Sequence, residues 1–278
     1  MHVMAMDGES PDPVVRNFGT EWTKFHTLPE KDLRVAGAEL FDLLESTDGP
    51  RGAMLDLGCG NGRWTRYLAG RFAHVDAIDP SEAVHTAAQV HADLRNVRWV
   101  QGRGEDLPYP DASFQVVICI GVLHHVADPM RVLQETRRVL RPDGMLYFYM
   151  YYAMEQRSAA YRALHKASDL LRRVVYPLPP GLRLPVCDVL AASVYLPLVL
   201  AARLLKWMGV AFWRRMPLAF YHDKSFRVMR NDALDRFGTP YEARSTREEI
   251  VRLMTGAGFA DVVFSPGPPY WHGTARRP

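Results

Sequence analysis

An α/β fold with a doubly wound, mostly parallel sheet is what this 278-residue sequence predicts, on three observations. Between residues 53 and 151, apolar runs of strand length alternate with stretches of helix length, an order that lays helices on both faces of one sheet. The first run ends in Leu57-Gly58-Cys59-Gly60-Asn61-Gly62, three alternating glycines that give way to a helix. A second apolar run ends at Asp79, 21 residues after Gly58, where a βαβ unit sets an acid beside the glycine turn.

Each element has a local reason. Gly49-Pro50-Arg51-Gly52 is a turn cluster that starts the strand at 53–58. Further strands are expected at 74–79, 97–102, 114–120 and 144–151, with helices at 62–70, 81–91 and 129–140 between them. Arg141-Pro142-Asp143-Gly144 reads as a turn ahead of the fifth strand. Farther on, Ser245-Thr246-Arg247-Glu248-Glu249-Ile250 has the pattern of a capping box, and its helix ends at Gly256-Ala257-Gly258. Strand 260–265 and a last run around 270–275 follow. Ahead of the core, residues 14–48 read as helical, with Phe18 and Trp22 one turn apart. Met1–Pro13 carries Asp7, Glu9 and Asp12 and no apolar stretch, so it reads as a flexible tail rather than a signal peptide or anchor.

The glycine turn and Asp79 suit an adenosine ligand. Glycine accepts φ > 0 and leaves room for a ligand over the backbone, and an acid at the tip of the second strand accepts hydrogen bonds from both ribose hydroxyls. That spacing serves NAD and S-adenosylmethionine (SAM) alike. Asp56 separates them, because an acid inside the motif repels a pyrophosphate and suits the cationic methionine end of SAM.

Two further segments carry a resemblance. Gln101-Gly102-Arg103-Gly104-Glu105-Asp106-Leu107-Pro108 follows the third strand, and Ser113–Ile120 leads into Gly121-Val122-Leu123-His124-His125. With the glycine turn and Asp79, these resemble the class I SAM-dependent methyltransferases, over residues 53–150 and again over 241–278. The resemblance implies a seven-stranded Rossmann-like sheet. It implies SAM as cofactor, with S-adenosylhomocysteine as product. Asp56, Gly58 and Gly60 would line the methionine side, with the ribose on Asp79. Arg103, Gly104 and Glu105 would lie by the adenine edge, and the Ile120 carbonyl would meet the ammonium. Relatives carry Asp or Asn where Arg103 stands, which shifts the adenine contact toward the Gly104 backbone.

Methyl transfer from a sulfonium is catalysed chiefly by holding donor and acceptor in line, and a base is required only when the acceptor must shed a proton. His124 and His125 follow the fourth strand at the carboxyl edge of the sheet and are the candidate bases. For the acceptor, the candidates are Trp22, Tyr221, His222, Arg227, Arg230, Asp235 and Tyr241. Arginine in particular suits two-point recognition of an anion.

The sequence divides into a tail and helical cap (1–48), the cofactor-binding core (49–151), a helical insertion (152–240) and the completion of the core (241–278). Residues 157–236 hold 14 basic and 5 acidic residues, a net of +9 against +3 for the whole chain. The run Val189–Ala202 has 14 residues without a charge, which reads as too short to span a bilayer. This insertion is open to three readings: a solvated cap or lid, an entry for an anionic or amphiphilic acceptor, or a peripheral contact with an anionic membrane surface. A homodimer interface is a further option.

Cys59, Cys119 and Cys187 have no metal-ligand spacing and sit among apolar residues, so no metal is expected and a cytoplasmic setting is. No stacking platform for nucleic acid is visible. The leading expectation is small-molecule methylation, on oxygen (a hydroxyl or carboxylate) in a biosynthetic or secondary-metabolite pathway. Its alternatives are N-methylation, and methylation of a lipid or glycan precursor at the membrane face. A NAD(P)-dependent oxidoreductase is disfavoured by Asp56 and by the lack of a Tyr-x-x-x-Lys element. A SAM-binding protein without catalysis stands as a further alternative.

Overall fold

A computed structural model describes residues 4–5, 15, 19, 29–45, 52–154, 158–239, 242–267 and 269–278. The chain forms two compact units, Met1–Glu155 with Tyr241–Pro278, and Gln156–Pro240.

In the first unit eight strands build one sheet: β1 (Met4–Ala5), β2 (Ala53–Leu57), β3 (His74–Asp79), β4 (Val97–Gln101), β5 (Phe114–Ile120), β6 (Leu140–Tyr149), β7 (Ala260–Phe264) and β8 (His272–Arg276). Their order is β1-β4-β3-β2-β5-β6-β8-β7. All pairings are parallel except those of β8, which runs antiparallel to both β6 and β7. The expected seven strands are present, and the two residues of β1 add an eighth.

Side chains along the strands alternate between two core layers, as the pleat requires. Leu55, Val117, Cys119, Leu146 and Phe148 enter one layer. Met54, Val116, Ile118, Met145 and Tyr147 enter the other. A sheet covered on both faces needs apolar residues at consecutive positions, which is why these strands read as near-continuous apolar runs. The chain moves outward from β2 through β3 to β4, then crosses to β5 and β6. Strand order therefore reverses between β2 and β5, and ligands of open α/β sheets bind at the carboxyl edge above such a reversal.

The connections follow their sequence signals. Asp128 caps the helix Pro129–Val139 by accepting from the Arg131 N–H at 3.0 Å, with Pro129 in the first turn. The capping box is realised on both sides: the Glu249 N–H donates to Thr246 Oγ1 at 3.1 Å and the Thr246 N–H to Glu249 Oε2 at 2.8 Å. Two expectations are corrected. Met4–Ala5, read as part of a flexible tail, pairs with Val100 and Gln101, because the free edge of β4 offers unpaired backbone groups to any nearby segment. The turn 141–144 does not precede β6 but lies inside it. Phe114 pairs with Leu140 and Val116 with Met145, so the turn loops out as an irregularity, with Asp143 at φ 60°.

The second unit is helical. Ala159–Val175 is capped by the Ser158 side chain, and the chain breaks at Pro179, which caps the next helix. From Gly181 to Trp207 the helix is continuous over 27 residues, long and apolar enough to cross a membrane by length and composition. The span expected from the uncharged run was half that. Asp188 and Arg203 bound the uncharged run in sequence but do not end the helix, which also holds Arg183 and Pro185. Pro197 is accommodated because residues 191–195 widen into a π turn just before it, where the ring and its missing N–H would disrupt a regular ladder. Helix Phe226–Gly238, capped by Ser225, closes the unit.

Candidate cofactor and acceptor site

The loop after β2 is bound to its neighbour strand. The Gly58 and Cys59 N–H groups both donate to the Ile78 carbonyl, at 2.8 and 3.0 Å. Gly58, Gly60 and Gly62 all take positive φ (75°, 52° and 75°), a backbone that L side chains rarely adopt. At Gly58 space forbids a side chain as well, since a Cβ would come within 2.3 Å of the Val122 methyl.

Asp79 ends β3 with its carboxylate held on three donors. Oδ2 accepts from the Gly60 N–H at 2.8 Å, while Oδ1 accepts from the Ser81 N–H at 2.9 Å and the Ser81 hydroxyl at 2.6 Å. The side chain thus fixes the glycine turn and keeps acceptor capacity on Oδ2 for another donor. Burial raises its pKa above the usual carboxylate range, against the lowering by these hydrogen bonds. Asp56, on the neighbouring strand, is 1% exposed and accepts from Thr65 Oγ1 at 2.5 Å. Burial pushes it up to about 7, the Thr65 bond opposing and the Asp79 charge adding to the rise. Among the described residues neither carboxylate is in a salt bridge. Two buried acids with no ion pair among the described residues, the Arg63 charge acting on Asp56 only as the smallest of its influences, stand beside a turn that admits a ligand and fit a molecule with a hydroxyl-bearing ribose and a cationic arm. SAM has both.

The loop 103–111 is anchored by the helix Pro129–Val139. Glu135 Oε2 accepts from the Leu107 N–H at 3.0 Å, and Arg138 donates to the Leu107 and Tyr109 carbonyls at 2.9 and 2.7 Å. Arg131 donates to the Glu105 carbonyl at 3.0 Å. Arg103 lies 3.8 Å from the Glu105 carboxylate, so the two side chains at the expected adenine edge are paired with each other. Gly104 packs against Val132 and Leu57. Sequence reasoning missed Glu135 and Arg138 as positioning residues. Their partners are some thirty residues away, and only a charge, Glu135, among the buried positions of this helix hints at the role.

After β5, whose last residue is Ile120, Gly121 at φ 78° turns the chain and the His125 N–H donates to the Val122 carbonyl at 2.8 Å. His124 is completely buried, and among the described residues neither ring nitrogen has a hydrogen-bond partner. Its ring stacks on Tyr151 (centroids 3.9 Å apart, planes at 25°) and lies 4.3 Å from the His125 ring. The other neighbours are Tyr149 and Arg244, whose guanidinium sits 5.1 Å from the Tyr151 ring and pairs with Glu242 at 2.6 Å. Burial, then the His125 and Arg244 charges, hold the His124 pKa well below its ordinary value, so the ring is neutral at pH 7. His125 is 7% exposed. Tyr151, Glu242 and Arg244 gave no motif signal, as they come from segments far apart in sequence.

The remaining acceptor candidates lie in the helical unit or outside the described residues. The Tyr221 hydroxyl donates to Asp232 at 2.6 Å, and His222 Nε2 lies 2.7 Å from Lys206 Nζ. Arg230 makes a two-point pair with Asp188, at 2.9 and 2.7 Å, so its fork is already filled. Arg227 is half-buried on the helix Phe226–Gly238, as is Asp235, whose carbonyl accepts from the Thr239 hydroxyl. Trp22 and Tyr241 lie outside the described residues.

Comparison with known proteins bears on this geometry. Residues 55–148 match the family pattern of a methyltransferase domain. A thiol S-methyltransferase of Homo sapiens is 39% identical over 123 residues, 41% of this chain and 50% of that protein. A ubiquinone biosynthesis O-methyltransferase of Neisseria meningitidis is 37% identical over 100 residues, 34% of this chain and 42% of that protein. The chain thus spans about half the length of the curated relatives it matches. A SAM-dependent methyltransferase of Thermotoga maritima shares the fold at a TM-score of 0.51, over 94% of this chain and all of that one, with 16% identity.

Proposed function

Through residues 55–148 this chain belongs to the class I SAM-dependent methyltransferases, and on that premise we propose that it methylates a small-molecule acceptor on a hydroxyl oxygen. One observation carries the choice of acceptor: the neutral His124 ring, with both nitrogens unpartnered among the described residues, just past the carboxyl end of β5. A hydroxyl must lose its proton as the new bond forms, and a neutral imidazole within reach can take it.

SAM supplies an activated methyl group on a sulfonium when bound. In this reading Asp79 holds the ribose, and the Gly58–Gly62 backbone admits the methionine portion. Asp56 in its ionised form faces the cationic arm. The loop anchored by Glu135 and Arg138 keeps Gly104 against the adenine edge. Neutral His124, locked by its stack on Tyr151, receives the acceptor proton. The Arg244 charge beside that stack opposes protonation of the resting ring, so His124 stays neutral and able to accept the proton that the hydroxyl releases as its oxygen takes the methyl group.

A second reading is thiol methylation, favoured by the 39% identity to the human S-methyltransferase. A thiol with pKa near 8.5 ionises with little help, so that reaction leans less on a base. Incubation of the purified chain with methyl-labelled SAM and a panel of phenols, alcohols, carboxylic acids, amines and thiols, with products read by mass spectrometry, separates the readings. Label on a hydroxyl oxygen supports the proposal. Label confined to sulfur, nitrogen or carboxylate overturns it.

A further inference from the structure

The helix Gly181–Trp207 carries two unlike faces, and the outer one is exposed among the described residues. Arg183, Cys187, Ala191, Tyr195, Val199 and Ala202 recur every three or four residues and are buried inside the helical unit. The charges near this face are tied down from within. Arg183 donates to the Tyr176 carbonyl, Asp188 pairs with Arg230, and Arg203 donates to the His222 and Lys224 carbonyls. Opposite these buried positions Leu182, Val189, Leu200, Leu204 and Trp207 are 49–84% exposed, spread along about 40 Å of helix. No charged residue interrupts that stripe.

At its end the chain presents Met208, Val210 and Phe212, each at least 40% exposed, between Lys206 and the exposed pair Arg214 and Arg215. A line of exposed apolar side chains finishing in a tryptophan and ringed by cations is suited to the boundary between headgroups and acyl chains. Two alternatives fit less well. If the helix spanned the bilayer, Arg183, Asp188 and Arg203 would have to leave their partners for lipid. If a second copy covered the stripe, it would bring together two segments that each carry a net +9 over residues 157–236. An anionic surface gains from the same charge.

We propose that this face seats the protein on an anionic lipid bilayer, with Leu182, Val189, Leu200, Leu204 and Trp207 in the acyl boundary and Lys206, Arg214 and Arg215 among the headgroups. The proposal goes beyond the methyltransferase reading and does not depend on which acceptor is used. Co-sedimentation of the full chain with phosphatidylcholine vesicles, with and without 30% phosphatidylserine, tests it.

The account predicts at least tenfold stronger partitioning onto the anionic vesicles, weakened by added salt and reversed by alkaline carbonate. The exposed-face variant Leu200→Glu/Leu204→Glu should lose at least tenfold of that partitioning, and Arg214→Gln/Arg215→Gln most of its preference for phosphatidylserine. Circular dichroism and S-adenosylhomocysteine affinity should stay at wild-type levels in both, which separates a failure here from a failure of the cofactor site. Equal partitioning of the Glu variant, or no binding of the wild type to anionic vesicles, overturns the proposal. Resistance to carbonate would mean a spanning helix. A wild-type dimer that the Glu variant turns into monomers would mean that a second copy covers the stripe. Either result refutes the interfacial seat.

Discussion

Replacing Asp56 by Asn probes the electrostatics of the cofactor site most sharply. The carboxyl is 1% exposed and titrates near 7 because burial disfavours its charge, whereas in the unfolded chain it titrates near 3.9. Between those values the native state holds a proton that the unfolded state has lost. By linkage, stability therefore falls as pH rises from about 4 to 7, and the full penalty stands above 7. A shift of about three units corresponds to an upper bound of about 4 kcal/mol. Asparagine keeps an oxygen to accept the Thr65 hydroxyl and carries no charge. The variant should be on the order of 1–3 kcal/mol more stable than wild type at pH 8, and within about 0.5 kcal/mol of it at pH 5. Binding should move the other way. The ligand's ammonium group needs the ionised acid, so wild-type affinity for S-adenosylhomocysteine should drop about tenfold per pH unit below 7, while the variant binds weakly with a flat profile. Urea unfolding and calorimetric titration between pH 5.5 and 8.5, at constant ionic strength, give both curves. Parallel pH profiles for the two proteins, or an Asn variant less stable at pH 8, would refute the argument.

Three further outcomes follow from the same geometry. Asp79→Ala removes the acceptor of the Gly60 N–H and of both Ser81 donors, so it should weaken S-adenosylhomocysteine binding by roughly 1.5–3 kcal/mol, as read by calorimetry on protein with native circular dichroism. Unchanged affinity would put the ribose elsewhere. His124→Ala should lower turnover with a hydroxyl acceptor about 10²–10⁴-fold, leaving cofactor affinity within a factor of three, and wild-type turnover would remove His124 from the reaction. Asp42→Asn breaks a clasp in which Asp42 accepts from Ser265 Oγ at 2.6 Å and pairs with His272 Nε2 at 2.9 Å. Burial works to raise the Asp42 pKa, but these two partners hold it below the ordinary value, so its stabilisation is present above about pH 4 and is lost as pH falls. The variant should lose about 1–2 kcal/mol in urea unfolding at pH 7 and much less at pH 3, and an equal loss at both would contradict the assignment.

The sheet was legible because its physics is local. Strands buried on both faces must be apolar at nearly every position, and the alternation of Met54 and Leu55, or Val116 and Val117, between two layers needs no distant information. The same holds for the capping box at Thr246, and for the glycines whose positive φ only a residue without Cβ adopts freely. What escaped depends on partners remote in sequence. The burial of His124 under Tyr151, and the pinning of loop 103–111 by Glu135 and Arg138, are set by tertiary packing that leaves no periodic trace. The helix Gly181–Trp207 was underestimated for a related reason. Asp188 and Arg203 look like the ends of an apolar segment until the fold pairs them inside the unit, and Pro197 looks like a break until a π turn absorbs it. Met4–Ala5 has no strand pattern of its own and is ordered by the edge it joins.

The central claim is that the carboxyl edge of β2 and β3 takes the adenosyl and amino-acid parts of SAM. Isothermal titration of the full chain at pH 8 with S-adenosylhomocysteine, and in parallel with NAD, tests it directly. The account predicts one-site binding of S-adenosylhomocysteine with a Kd of about 1–100 μM, a free energy of about −8 to −5.5 kcal/mol, and no detectable heat with NAD. Saturable NAD binding, or no S-adenosylhomocysteine binding by a folded protein, would contradict it.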